Sequence, residues 1–138
     1  MAKSLGFNEL VNVQEIDIFN FIEEMTNGGG VDVVLECSGA PEAARTGIKV
    51  VKKGGVYTQI GLFGKPFEIN FEAIAYKELQ VTGSFSQRWI AWETALKLLE
   101  LKMVETKPLV TDIYPLSNWQ AAFNKFEYRQ GTKIIFQS

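Results

Sequence analysis

The sequence predicts an α/β fold, a doubly wound parallel sheet with helices on both faces. Three observations predict it. Short β-prone runs alternate with stretches whose apolar residues recur at helical spacing. Val31 to Cys37 is apolar almost throughout, the pattern of a parallel strand buried on both faces. Three successive strands end in small residues, as strands do when the chain must turn sharply or a ligand must reach the backbone.

The elements follow in order. Glu9 to Val13 is a short β-prone run. Asp17 to Asn27 reads as a helix, because Ile18, Ile22 and Met25 fall at i, i+4 and i+7 and Gly28-Gly29-Gly30 stops it. After the strand Val31 to Cys37, Ser38-Gly39-Ala40-Pro41 turns the chain. Pro41 suits the first turn of a helix. Ala43, Ala44, Ile48 and Val51 support that helix, and Lys52-Lys53-Gly54-Gly55 ends it. Val56 to Ile60 is a strand and Gly61 to Pro66 a loop. Phe67 to Phe71 is a candidate short strand, and Glu72 to Lys77 a short helix. Leu79 to Phe85 is the next strand. Gln87 to Lys102 is the longest helix, with Trp92, Ala95, Leu96, Leu99 and Met103 as its buried stripe. Pro108 to Tyr114 is a strand. Ser117 and Gln120 form a capping-box pattern, with Trp119, Phe123 and Phe126 as the apolar face behind it. Lys133 to Phe136 is a closing strand.

Composition removes several functions. The 138 residues carry 14 Lys and Arg against 16 Asp and Glu, a net charge of −2. That leaves no basic field for a nucleic-acid backbone or an anionic membrane. No apolar run approaches the length of a membrane span. MAKSLGFNEL carries no signal-peptide pattern, so a cytoplasmic protein is expected. There is no histidine and one cysteine, Cys37. These counts exclude an internal disulfide, a Cys/His zinc site and a His-activated nucleophile. Cys37, at the end of an apolar strand, is expected to be a small buried hydrophobe rather than a reactive thiol.

The strand ends are Cys37-Ser38-Gly39, Ile60-Gly61-Leu62 and Gly83-Ser84-Phe85-Ser86. In a doubly wound sheet ligands sit at such ends. A glycine after a strand also serves simply to turn the chain. Three ends of the same kind on one rim favour a flat cofactor approaching the backbone.

The segments NGGGVDVVLECSGAPEA, VVKKGGVYTQIGLFGKP and YKELQVTGSFSQ resemble the zinc-containing medium-chain alcohol dehydrogenases, in particular sorbitol and threonine dehydrogenases. The resemblance runs through essentially the whole chain. It implies an incomplete Rossmann-like sheet over residues 1–107 and a strand-helix-strand tail over residues 108–138. It implies an NAD(P) cofactor with Cys37, Ser38 and Gly39 by its adenosine half. Ile60, Gly61 and Leu62 would lie under the nicotinamide ring, and Ser84, Phe85 and Ser86 would meet its carboxamide. Lys133 matches a basic position near the pyrophosphate, and is equally readable as a solvated lysine at a strand start. Zinc belongs to full-length relatives, and none of their ligands has a counterpart in this chain. The Gly-rich phosphate turn is also absent, since a strand and not a helix follows Gly28-Gly29-Gly30.

In the family's sheet order two further strands separate the equivalents of Glu9–Val13 and Val31–Cys37, a gap of roughly 14 Å. Nothing in this sequence fills it, so Val31 to Cys37 is expected to become an exposed apolar edge. Glu9–Val13 could slide beside it, two chains could pair along it, or an upstream segment could complete the sheet. Self-association through sheet edges is the expectation. Three functions follow. The first is a cofactor-domain portion of a zinc-type dehydrogenase, inactive alone. The second is a non-enzymatic nucleotide-binding or oligomerisation module that pairs with itself or with a full-length subunit. The third is an independent enzyme using Glu36, Lys65 or Tyr76 as acid or base. Glu36 is the unusual one, a carboxylate late in an apolar strand. Unpaired and buried it would titrate high, but reaching the rim or a backbone donor is the plainer expectation.

Overall fold

The computed structural model describes residues 1–138. The chain forms two compact units, one of residues 11–86 and the other of residues 1–10 with 87–138.

In the first unit, α1 (Ile18–Thr26), β1 (Val31–Glu36), α2 (Pro41–Val50), β2 (Val51–Gln59), α3 (Glu72–Tyr76) and β3 (Gln80–Gly83) follow one another. The strands are parallel in the order β1-β2-β3. Asp17 caps α1 as expected of a short acceptor, its Oδ1 taking the Phe19 N–H at 2.8 Å. Asn27 at φ 51° and Gly28 at φ 78° close α1 in the left-handed region, and the Gly28 N–H donates to the Glu23 carbonyl.

The packed centre lies between α2 and the sheet. Ala44, Ile48 and Tyr57 are buried there, with Val34, Phe63, Phe67, Ile69, Ala73 and Leu79 against them. A Cβ on Gly47 would stand 2.9 Å from both the Tyr57 ring and Val34 Cγ1, so glycine lets α2 sit close to the strands. The helix ends at Val50, ahead of the Lys52–Gly55 stop expected from the sequence. Val51 is extended and pairs with Val31, and β-branched valines favour that change. The basic-glycine segment instead lies within the irregular start of β2, where Gly54 at φ 72° donates its N–H to the Lys77 carbonyl at 2.7 Å.

In the second unit a 3-10 turn (Ala2–Leu5) accompanies α4 (Trp89–Glu100), β4 (Val110–Pro115), α5 (Trp119–Glu127) and β5 (Lys133–Gln137). β4 and β5 are parallel, joined through α5. Ala122 is buried under α5, Trp119 meets Phe123 edge-on at 6.0 Å, and Phe123 stacks on Phe136 at 6.4 Å. Asp112 and Lys125 pair between β4 and α5. That hydrogen bond, then one from Thr111, holds Asp112 below the ordinary carboxylate range against its burial.

Several expectations are corrected. Glu9–Val13 is not a strand and does not slide beside β1, because no neighbour offers it a ladder. The chain turns there instead, with the Glu15 and Ile16 N–H groups both on the Asn12 carbonyl at 3.0 Å. Phe67–Phe71 also forms no strand. β1 is buried on one face only: Val34 and Glu36 turn toward α2, while Val33 is 54% and Leu35 61% exposed on the other side. The α4 stripe is exposed throughout, since nothing packs on it within its unit. The capping box at Ser117 does not form, because a 3-10 turn (Leu116–Asn118) moves the N-cap one residue on, to Asn118.

Candidate functional site

Glu36, Gln59 and Gly83 are register partners across β1, β2 and β3. The three parallel strands therefore stop at one level, and their outgoing loops share one rim, the place where such sheets receive ligands. Ser38, Gly39, Ile60, Gly61, Leu62, Ser84, Phe85 and Ser86 all lie on it. The Ile60 and Gly61 N–H groups both donate to the Glu36 main-chain carbonyl at 2.8 Å, and the Ser84 N–H to the Gln59 carbonyl at 2.9 Å. Ser86 holds φ 56°, a left-handed value that turns the chain off β3.

Two loops of the rim touch through glycine. A Cβ on Gly61 would stand 2.1 Å from the Gly39 nitrogen, and one on Gly39, at φ 68°, 2.4 Å from the Leu62 carbonyl oxygen. Neither position admits a side chain. Around this contact Ile60, Leu62 and Phe85 expose apolar surface.

Beneath the contact lies Glu36, which is only 4% exposed. Its Oε1 accepts from the Ser38 N–H at 2.8 Å and the Ser38 hydroxyl at 2.5 Å. The Gly39 N–H reaches Oε1 at 3.0 Å and Oε2 at 3.2 Å. The Gln59 amide donates to Oε2 and also to the Gly61 carbonyl at 2.8 Å. The Tyr57 hydroxyl donates to Gln59 Oε1 at 2.6 Å and so fixes the orientation of that amide. Burial pushes the Glu36 carboxyl up, but hydrogen bonds from Ser38, Gln59 and the Ser38 and Gly39 backbone outweigh it and hold the group below the ordinary glutamate range. Burial first, and the Glu36 charge second, push the Tyr57 phenol up.

Glu36 therefore meets donors, as the plainer expectation had it, and is not a high-titrating base. Lys65 and Tyr76 are exposed. Cys37 corrects its expectation, being exposed rather than buried. Side chains alternate along a strand, and Glu36 takes the inward position, so Cys37 falls on the open side with Val33 and Leu35. Lys133 opens β5, beside Val110 of β4, in the other unit. Sequence reasoning missed Gln59 and Tyr57. Their signal was a polar residue at the end of β2 in register with Glu36.

A nicotinamide dinucleotide fits this rim in one respect: the exposed apolar side chains of Ile60, Leu62 and Phe85 suit a flat ring. Gly61 itself is buried, and the two glycines let the loops pack on each other. Zinc does not fit: no group of three or more His, Cys, Asp or Glu side chains comes together to ligate a metal.

The chain is 44% identical over 135 residues to a sorbitol dehydrogenase from Halalkalibacterium halodurans, covering 97% of this chain and 39% of that protein. It is 32% identical to a D-arabitol-phosphate dehydrogenase from Enterococcus avium, covering 100% and 40%. The crystal structure of 2R,3R-butanediol dehydrogenase from Bacillus subtilis superposes with a TM-score of 0.85 at 27% identity, covering 99% of this chain and 40% of that one. The chain thus spans 39–40% of the length of these relatives. Together with a family model described as zinc-binding dehydrogenase, which matches residues 1–101, these likenesses establish that the chain belongs to the zinc-binding dehydrogenase family.

Proposed function

We propose that the chain is the cofactor-domain portion of a zinc-type, NAD(P)-dependent alcohol or polyol dehydrogenase of the cytoplasm, and that its rim receives the nicotinamide cofactor. The observation that carries this reading is the shared level of three parallel strand ends, Glu36, Gln59 and Gly83, with two glycine-only loop positions above them. A bound nicotinamide supplies hydride transfer. The residues of this chain bind and orient. Ser38 and Gly39 present backbone to the adenosine half, Ile60 to Leu62 lie under the ring and keep water from it, and Ser84 to Ser86 offer backbone to the carboxamide. No step passes through zinc, for which this chain holds no ligand set, and the chain alone is inactive. The test is a fluorescence titration of the purified chain with NADH, followed by assays with alcohols and added zinc. Saturable binding without turnover is expected. Absence of binding at millimolar NADH overturns the cofactor reading, and turnover overturns the assignment of inactivity.

A second reading is favoured by one observation. β1 has a neighbour on one side only, and Val33 and Leu35 stand open beside that free edge. On this reading the chain is a non-enzymatic nucleotide-binding or oligomerisation module that pairs along sheet edges with itself or with a full-length subunit. Light scattering at high concentration tests self-pairing. A dimer or larger species supports it, and a monomer near 15.5 kDa overturns it.

A further inference from the structure

Resting on the cofactor reading above, we propose that Glu36 is the positioning residue of the rim: its carboxylate locks the β1–α2 turn and the loop leaving β2 into one arrangement. The donors it collects come from those two segments alone. Ser38 and Gly39 supply three from the turn, and Gln59 supplies one from the end of β2. Gln59 carries the lock onward, because the same amide also holds the Gly61 carbonyl. Oε2 lies 2.7 Å from where a Gly61 Cβ would be, directly beneath the point at which the two loops touch.

The need for a carboxylate follows from counting. Four donors converge on two oxygens, so every one meets an acceptor. A glutamine has one oxygen and one NH2 group, and its NH2 would face the Gly39 N–H or the Gln59 amide donor to donor. A buried carboxylate is costly unless fully hydrogen-bonded, and here it is so bonded only while both loops hold their places. Glu36 touches no reacting atom and acts through Gly39 and Gly61.

The Gly39 N–H finds its acceptors only in the Glu36 carboxylate, while the Ile60 and Gly61 N–H groups bond to the Glu36 main-chain carbonyl. The Ile60 N–H, whose acceptor is main chain and not the carboxylate, is the internal control. Amide hydrogen exchange of Glu36→Gln is therefore compared with the native chain, beside NADH titration of both. The expected result is exchange at Gly39 faster by about tenfold or more, the Ile60 amide unchanged, and NADH affinity weaker by about tenfold. Unchanged exchange at Gly39 overturns the proposal. Faster exchange with unchanged affinity overturns the positioning role. If the native chain binds no NADH, the cofactor reading falls by itself, and Gly39 exchange still decides whether the lock exists.

Should Glu36→Gln not fold, the ratio of Gly39 to Ile60 exchange is followed in the native chain as acid protonates the carboxyl. Ser38 and Gly39 face it from the turn, and Tyr57, Gln59 and Gly61 from β2 and its loop. Of these only Tyr57 titrates, far above that range. The ratio rises on protonation, and a flat ratio overturns the lock.

Discussion

The Lys77 ammonium donates to the Val51 carbonyl at 2.8 Å from the far end of α3, and so holds the point at which α2 becomes β2. The same nitrogen donates to the Lys49 carbonyl at 2.6 Å and the Ile48 carbonyl at 3.2 Å. These carbonyls belong to the unpaired last turn of α2, where the helix dipole favours a cation. Lys77→Met keeps much of the stem and removes the three donors. We expect it to destabilise the chain by about 1–3 kcal/mol in urea unfolding. A change below about 0.3 kcal/mol would show that water replaces the ammonium at no cost.

The Gly39–Gly61 contact predicts an unusual intolerance to alanine. In Gly61→Ala the new methyl has no space beside the Gly39 nitrogen, which lies 2.1 Å away, or Glu36 Oε2 at 2.7 Å. Backbone must move on both loops, at a cost of about 1–3 kcal/mol. Gly64 is the control: it lies in the same loop with nothing near its Cβ position, though its φ of 73° still favours glycine. Gly61→Ala is expected to lower the melting temperature and abolish NADH binding together, while Gly64→Ala lowers only the former.

The Glu36 carboxyl sets a pH dependence whose sign is fixed by its environment. Its folded pKa lies below the unfolded value because of the donors around it. Such a group contributes stability at pH above the unfolded value, and loses it as pH falls through the folded one. Native chain and Glu36→Gln should therefore differ most in denaturant midpoint near neutrality. The gap should narrow as pH falls below the ordinary glutamate range and close once the native carboxyl takes up its proton. A gap that is constant from neutrality to pH 3 would mean the charge contributes nothing beyond packing.

The parts of the fold legible from sequence are those whose reasons are local. α1 announces itself by the spacing of Ile18, Ile22 and Met25 and by Gly28, α2 by Pro41, and the strands by valine-rich runs, because periodicity and φ constraints act within a few residues. The misreadings concern partners. Glu9–Val13 has strand composition, but a strand exists only beside another. The α4 stripe has core composition, but nothing within its unit covers it. At the candidate site the glycines were legible as turn formers at strand ends. Gln59 was not, since a polar residue closing a strand looks like any solvent-facing one until Glu36 is placed beside it.

The open side of β1 yields the last prediction. Val33 and Leu35 are each more than half exposed, so replacing Val33 by lysine, whose stem can cover the same surface, should alter stability by no more than about 0.5 kcal/mol. Lysine beside a free strand edge also opposes pairing with another strand, since the incoming chain would have to desolvate the ammonium. If copies of this chain associate along β1, Val33→Lys shifts the light-scattering mass toward the monomer while the urea midpoint stays in place. Leu96→Lys, at an exposed apolar residue on the helix α4 rather than on a strand, controls for the general solubilising effect of added charge. Equal shifts from both variants would place the association on apolar surface at large rather than on the β1 edge. A loss of more than about 2 kcal/mol in monomeric Val33→Lys would mean that Val33 is covered in solution by the chain itself.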